Sequence, residues 1–272
     1  MTLLQAIILG IVQGLTEFLP VSSSAHLVLT PLLLGWKIPA EQVFPFDVLV
    51  QMGTLVAVII YFWKDLITIL RGFFEGLLRK QPFGSEPARL GWYLILGSIP
   101  AGVAGLFLKD VVERAFSSPG ATALLLLGTA ALLIAAEMLG RRTRSASDFN
   151  WLDALVMGLF QAVSIFPGIS RSGSTISGGL FRQLDRVTAA RFSFLLSIPV
   201  MLAAGGLGVL DLLEVANLAS FLPVMIIGFV TAGIIGYLSI RWLLKFLTRR
   251  SLIWFAGYCI LLSIISMVVY YA

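Results

Sequence analysis

Apolar residues run almost unbroken through six stretches of the chain, near 43–63, 90–108, 119–140, 191–211, 219–243 and 251–271. Each can cross a hydrocarbon core of roughly 30 Å, which takes about 17–25 helical residues. The alternating ten-residue segments of an outer-membrane barrel are not present in the sequence. Two further stretches are interrupted. Residues 2–36 hold an apolar limb to Phe18, a polar kink LPVSSSAH and a second limb of about 13 residues. Residues 151–181 hold a limb to Phe166, the segment PGISRSGST and a second limb of about 8 residues ending at Phe181. At about 1.5 Å per residue neither second limb crosses the core as helix. Both stretches are therefore expected to be re-entrant hairpins whose polar tips lie enclosed in protein or beside a wet cavity.

A shift of 148 residues places Gly10 on Gly158, Gln13 on Gln161, Thr16 on Ser164 and Phe18 on Phe166. The spans that follow fall in the same order. The expected fold is thus an all-α integral membrane protein, one membrane domain over 1–272, built as an inverted-topology repeat. Residues 1–140 and 141–272 would each supply one hairpin and three of the six transmembrane helices. An odd number of crossings per copy inserts the copies upside down, with function expected at the midplane where broken helices meet. Basic residues set the orientation. The segments 64–89, 141–150, 182–191 and 241–250 carry 15 of the 19 Lys and Arg, against Lys37, Lys109 and Arg114 in the opposite loops. The rich side is assigned to the cytoplasm and both termini to the outside. The stretch 64–80, KDLITILRGFFEGLLRK, has apolar residues at helical spacing with basic residues between. It reads as an amphipathic helix on the inner surface.

Composition agrees. The hydrophobic set makes up 58% of residues and charged residues 12%, with a mean hydropathy of +0.98. A soluble enzyme is excluded. The net charge of +5 matches basic cytoplasmic loops and implies no nucleic acid. The single cysteine, Cys259, has no intramolecular partner. The opening MTLLQAIILG lacks a basic n-region and a small-residue cleavage site, so it reads as a retained membrane segment.

The chemistry sits in the two tips. Gln13 and Glu17 are four apart, on one helix face, and Pro20 stops that helix. A carboxylate at mid-membrane costs about 2.5–3.5 kcal/mol and needs a partner or a cation. The structural alternative is a carboxylate satisfied by Ser22, Ser23 and Ser24. His26, the one histidine, follows these serines and is either structural or an acid/base. In the second tip Arg171 stands between Ser170 and Ser172, ahead of Ser174 and Thr175. Hydroxyls and a guanidinium converging at a helix start make an anion cradle suited to phosphate. The alternative there is a serine-rich break that only re-satisfies backbone. Joined by the repeat, the tips form one phosphoryl-transfer set. A carboxylate with an amide oxygen suits a hard divalent cation, a serine or water attacks, and Arg171 steadies the transferring group. Asp153, Glu137, Arg141 and Arg142 read as interfacial span-end charges, while Asp47 and Arg191 either pair or line the cavity.

The motifs Gln13-Gly14-Leu15-Thr16-Glu17 with Pro20 to His26, and Pro167 to Thr175, resemble the two signatures of the bacitracin-resistance family of undecaprenyl-diphosphatases. Order, spacing and hydropathy match over essentially the whole chain. The resemblance implies a bacterial inner-membrane enzyme removing the terminal phosphate of undecaprenyl pyrophosphate, with its site opening outward. Its product is the lipid carrier for peptidoglycan and other envelope polymers. It further implies Mg²⁺ or Ca²⁺ near Glu17 and Gln13, Ser23 as nucleophile and His26 as acid/base. Arg171, Ser22, Ser170, Ser172, Ser174 and Thr175 would grip phosphate. Gln13 stands where many relatives have Glu.

Polyprenyl pyrophosphate and membrane lipids are the expected partners, and the residues leave a homodimer open. The rival reading is a secondary transporter or lipid flippase, since inverted repeats with broken helices suit transport. The Glu, Ser, His and Arg set favours chemistry. A phosphatidate-phosphatase mechanism needs two histidines and is excluded, and a bare scaffold leaves Glu17 and Arg171 unexplained.

Overall fold

Helix starts are written into the sequence as short polar side chains. Thr2, Ser22, Ser85, Ser118, Asn150 and Ser170 each accept a hydrogen bond from a backbone N–H in the first turn that follows. Donors that would otherwise be orphaned are thereby satisfied. The computed structural model of the chain describes residues 1–108, 111, 118–212 and 218–271. Among these there are eleven α-helices, and no strand beyond an isolated bridge between Arg144 and Leu184.

The helices are α1 (Leu3–Thr16), α2 (Ser23–Leu33), α3 (Ala40–Tyr61), α4 (Trp63–Leu78), α5 (Glu86–Phe107) and α6 (Pro119–Leu139). They continue as α7 (Trp151–Val163), α8 (Arg171–Phe181), α9 (Arg186–Leu212), α10 (Leu218–Leu247) and α11 (Ile253–Tyr271). Six of them, α3, α5, α6, α9, α10 and α11, are long and apolar enough to cross a membrane. They fall on the six expected stretches. The amphipathic 64–80 segment forms α4, which lies against α5, with Gly72 and Gly76 facing Pro87 and Ala88.

The interrupted stretches form two pairs of short helices, α1 with α2 and α7 with α8. One expectation is corrected here. Both second limbs have 11 residues. The limb after PGIS is longer than 8 because Ser170 caps it, so Arg171 and the residues after it lie within the first turns of α8, not in the turn itself. Gly168 makes that turn, at φ +98°, and a Cβ there would stand 2.4 Å from the Thr122 carbonyl oxygen. Only glycine fits such a backbone and such an approach.

Packing crosses between the halves. Helix α1 lies on α10 and α7 lies on α5, while α2 lies against α6 and α11, and α8 against α6 and α9. The α7–α5 approach is close enough that a Cβ at Gly158 would stand 2.3 Å from the Gly97 carbonyl oxygen. At the centre, buried aromatic and aliphatic side chains such as Phe18, Phe62, Phe194, Leu126 and Ile176 join these pairs into one core. Phe18 meets Phe194 edge-on at 5.4 Å between centroids.

Candidate active site

Helical spacing delivers Gln13 and Glu17 together. The Gln13 Nε2 amide donates to Glu17 Oε2 at 2.8 Å, and both side chains are buried. Past the end of α1 the chain turns through Pro20 and Val21 to Ser22. Ser22 adopts φ 67°, ψ 97°, a region L-residues avoid, and so directs Ser23 back toward α1. Ser23 Oγ donates to Glu17 Oε2 at 2.6 Å. The other carboxylate oxygen, Oε1, accepts from the Arg171 guanidinium, 154 residues away. One carboxylate thus gathers an amide, a hydroxyl and a guanidinium.

The two polar turns touch elsewhere too. Ser172 Oγ donates to the Leu19 carbonyl oxygen at 3.0 Å. A Cβ on Gly173 would sit 3.4 Å from Pro20. The second turn is braced from α6, where Thr129 Oγ1 donates to the Gly168 carbonyl (2.8 Å) and accepts from the Ser170 N–H (2.8 Å). Arg171 is therefore anchored at a capped helix start and ion-paired with Glu17, its side chain 18% exposed against 4% for Glu17. Its partner is the carboxylate of the other tip, which spacing within either segment does not disclose. A guanidinium has five donors, so an edge remains for a phosphate beside the pair.

The expected phosphate ligands separate into two kinds. Ser22 Oγ caps α2 through the Ala25 N–H and meets Ser24 Oγ at 3.1 Å, and Ser170 Oγ caps α8 through the Gly173 N–H at 3.0 Å. Thr175 Oγ1 lies 2.8 Å from the Arg171 carbonyl and 2.5 Å from Ser193 Oγ. These hydroxyls already hold the turns in shape. Ser174 Oγ is buried with no protein partner. His26 is buried, and both its nitrogens are engaged. Nδ1 lies 2.7 Å from the Ser22 carbonyl oxygen and Nε2 lies 2.7 Å from the Tyr258 hydroxyl of α11.

The donors beside Glu17 are of a particular kind. Among the described residues no group of three His, Cys, Asp or Glu comes together. Gln13 Oε1, however, is buried with no hydrogen-bond partner, next to the Glu17 carboxylate. An orphaned amide oxygen beside one carboxylate suits a hard cation that takes its remaining ligands from phosphate and water, as Mg²⁺ commonly does.

Sequence comparison supplies the wider frame. Residues 6–265 match the family model described as "Bacitracin resistance protein BacA". The chain is similar to a protein of Thermomicrobium roseum named undecaprenyl-diphosphatase, 46% identical, over 99% of this chain and 98% of that one. Proteins of the same name from Myxococcus xanthus and Chlorobaculum tepidum are 42% and 44% identical, over 98% and 97% of this chain and 89% and 95% of theirs. The chain belongs to the BacA family. The matched range takes in both polar turns, and with them Gln13, Glu17, Ser23, His26 and Arg171.

Charges outside the turns find partners that the sequence does not name. Arg191 pairs with Asp65 at 2.7 Å and lies over the Phe62 ring at 5.2 Å, so its partner is not Asp47. Asp153 and Glu137 stand near helix ends, as expected, and are buried there. Asp153 holds Arg144 and Arg182, and Glu137 holds Arg142 and Arg186. Burial of a carboxylate requires such pairing. Three contributors escaped the sequence reading. Thr129 and Tyr258 are ordinary residues of apolar spans. Thr54 lies 3.5 Å from Gln13 Nε2 and likewise carries no motif.

Proposed function

We propose that this chain is a bacterial inner-membrane phosphatase that hydrolyses undecaprenyl pyrophosphate to undecaprenyl phosphate and inorganic phosphate. The observation that carries the reading is the shared Glu17 carboxylate, which accepts from Ser23 on one oxygen and from Arg171 on the other. The name of the relatives supports the substrate. Returning the lipid carrier to peptidoglycan and other envelope synthesis, and resistance to bacitracin, follow from that activity.

In this reading Ser23 Oγ attacks the terminal phosphorus as its proton passes to Glu17 Oε2. The Oγ–P bond forms, the anhydride P–O bond breaks, and the lipid phosphate leaves with the electron pair. The proton on Glu17 passes to solvent. Glu17 then takes a proton from water as it attacks the phosphoserine, and Ser23 Oγ recovers that proton as the phosphate leaves. Arg171 holds the non-bridging oxygens, where charge builds in the transition state. Ser174, whose hydroxyl has no protein partner, stands on the same helix as a further donor, while Ser22, Ser170, Ser172 and Thr175 keep the cradle in shape.

Arg171 is already half neutralised by Glu17, so a pyrophosphate arriving alone would meet little net positive charge. Glu17 and Gln13 Oε1 would hold a divalent cation, Mg²⁺ or Ca²⁺, which would supply the missing positive charge. An apolar cavity of about 600 Å³ beside Thr16 and Leu19, walled by Trp242, Phe246 and Trp254, offers space for the isoprenoid chain.

The same reading includes an inverted repeat with two re-entrant hairpins in one membrane domain, its site opening outward. Crossed packing supports it, since α1 on α10 and α2 on α11 are mirrored by α7 on α5 and α8 on α6.

The test is phosphate release from undecaprenyl pyrophosphate by the purified full chain in detergent. EDTA should abolish release, Mg²⁺ or Ca²⁺ should restore it, and Ser23→Ala should be inactive. No release at all would favour the transporter reading. Full activity in EDTA would remove the cation from the scheme.

A further inference from the structure

His26 is buried on α2, four residues past Ser22, and a carbonyl oxygen can only accept. The 2.7 Å contact from Nδ1 to the Ser22 carbonyl therefore places a proton on Nδ1. The lone pair of the neutral ring then lies on Nε2, where the Tyr258 hydroxyl, 2.7 Å away, donates to it. Neither nitrogen bonds Glu17, Ser23 or Arg171. The ring instead joins α11 to the one strained residue of the first turn. A non-glycine residue at positive φ is strained and persists only where its surroundings over-determine it. Ser22 is over-determined here, because its carbonyl accepts both from His26 Nδ1 and from the His26 backbone N–H at 3.2 Å.

We infer that His26 and Tyr258 act together as positioning residues: Tyr258 fixes the ring, the ring holds the Ser22 carbonyl, and the held turn aims Ser23 Oγ at Glu17. The inference rests on the proposed role of Ser23 and deepens it, assigning His26 no proton transfer and adding Tyr258 to the site. A hydroxyl that must stay 2.6 Å from its base is sensitive to small shifts of backbone, and a displacement near 1 Å costs about 10²-fold in rate. Tyr258 also lines the apolar cavity beside the turn, so its hydroxyl is held where the lipid chain would pass.

His26 is the only histidine in the sequence, which makes the test direct. Full-length protein labelled with ¹⁵N-histidine should show one neutral ring, protonated on Nδ1, and Tyr258→Phe should shift the Nε2 resonance. In turnover, His26→Ala should lose about 10²-fold in kcat. His26→Asn places an amide donor near the Nδ1 position but has no titratable group, and should stay within about tenfold of wild type. Tyr258→Phe should lower kcat several-fold with KM little changed. His26→Asn as inactive as His26→Ala, with both proteins monodisperse, would overturn the positioning role and return proton transfer to the ring. An Nε2 resonance unmoved in Tyr258→Phe would overturn the pairing. Wild-type turnover by Ser23→Ala would instead bring down the reaction scheme, and the ¹⁵N spectrum would still report on the pair.

Discussion

Glu17 shows how a single carboxylate can be stabilised and poised by the same contacts. Buried and charged, it would be costly alone, and three donors compensate that cost: Gln13, Ser23 and Arg171. Removing it would leave the partly buried charge of Arg171 uncompensated, so Glu17 variants mix folding with chemistry. Arg171→Lys separates the two. Lysine keeps a positive charge beside Glu17 but loses the planar fork that grips two phosphate oxygens. Its kcat should fall roughly 10²-fold or more, with insertion and monodispersity unchanged. Turnover near wild type would remove the clamp. What the sequence disclosed at this scale depended on distance along the chain. Gln13 and Glu17 share a face because they are four apart, and periodicity reveals that. The Glu17–Arg171 pair was reachable only through the repeat, and it was foreseen as two groups in one site, not as an ion pair. Tyr258 was not legible at all, because one aromatic in an apolar span looks like lipid contact until His26 is placed against it.

The two short helix pairs are held by glycine as much as by hydrophobic burial. Helix α7 carries no catalytic group, yet it carries the chain into the turn that presents Arg171, and it seats on α5 where Gly158 meets Gly97. Gly158→Ala would press a methyl against the Gly97 backbone, which cannot withdraw as a flexible side chain would. Overpacking of this kind costs about 1–3 kcal/mol. The apparent thermal midpoint should fall, and turnover with it, as α8 follows α7. Gly257→Ala is the matched control, because nothing lies within 4 Å of its added Cβ and α11 should accept it without loss. Equal midpoints for the two variants would mean that the α5–α7 seat does not hold the site. At this scale the hydropathy pattern was a good guide, since all six long helices fall where unbroken apolar runs stand. It misjudged the second limb of 151–181, where serine and glycine lower hydropathy. The cap at Ser170, not hydrophobicity, sets that helix start. For Asp153 and Glu137 the place near a helix end was legible and the burial was not, because the arginines that pair with them lie up to 49 residues away.

For the whole molecule the decisive question is how the crossed helix pairs sit in a bilayer. Short limbs of 11 residues reach only about 16 Å as helix, half of what a crossing needs. In the proposed reading each pair returns to the side it entered, with the polar turns meeting inside the protein. Glu17, Ser22, Ser170 and Ser172 are all buried there, as irregular backbone at membrane depth requires. If the basic loops lie inside, residue 37 and both termini are expected to face outward and residues 142 and 186 the cytoplasm. Single cysteines introduced at positions 37, 142 and 186 in a Cys259→Ser background test this with a membrane-impermeant thiol reagent. The native thiol is buried, and its removal guards against background labelling. Position 37 should label in intact cells, and positions 142 and 186 only after the membrane is opened. Labelling of 37 and 142 from the same side would break the inverted repeat. The Glu17–Arg171 pair would then have to form by some route other than two hairpins entering from opposite faces.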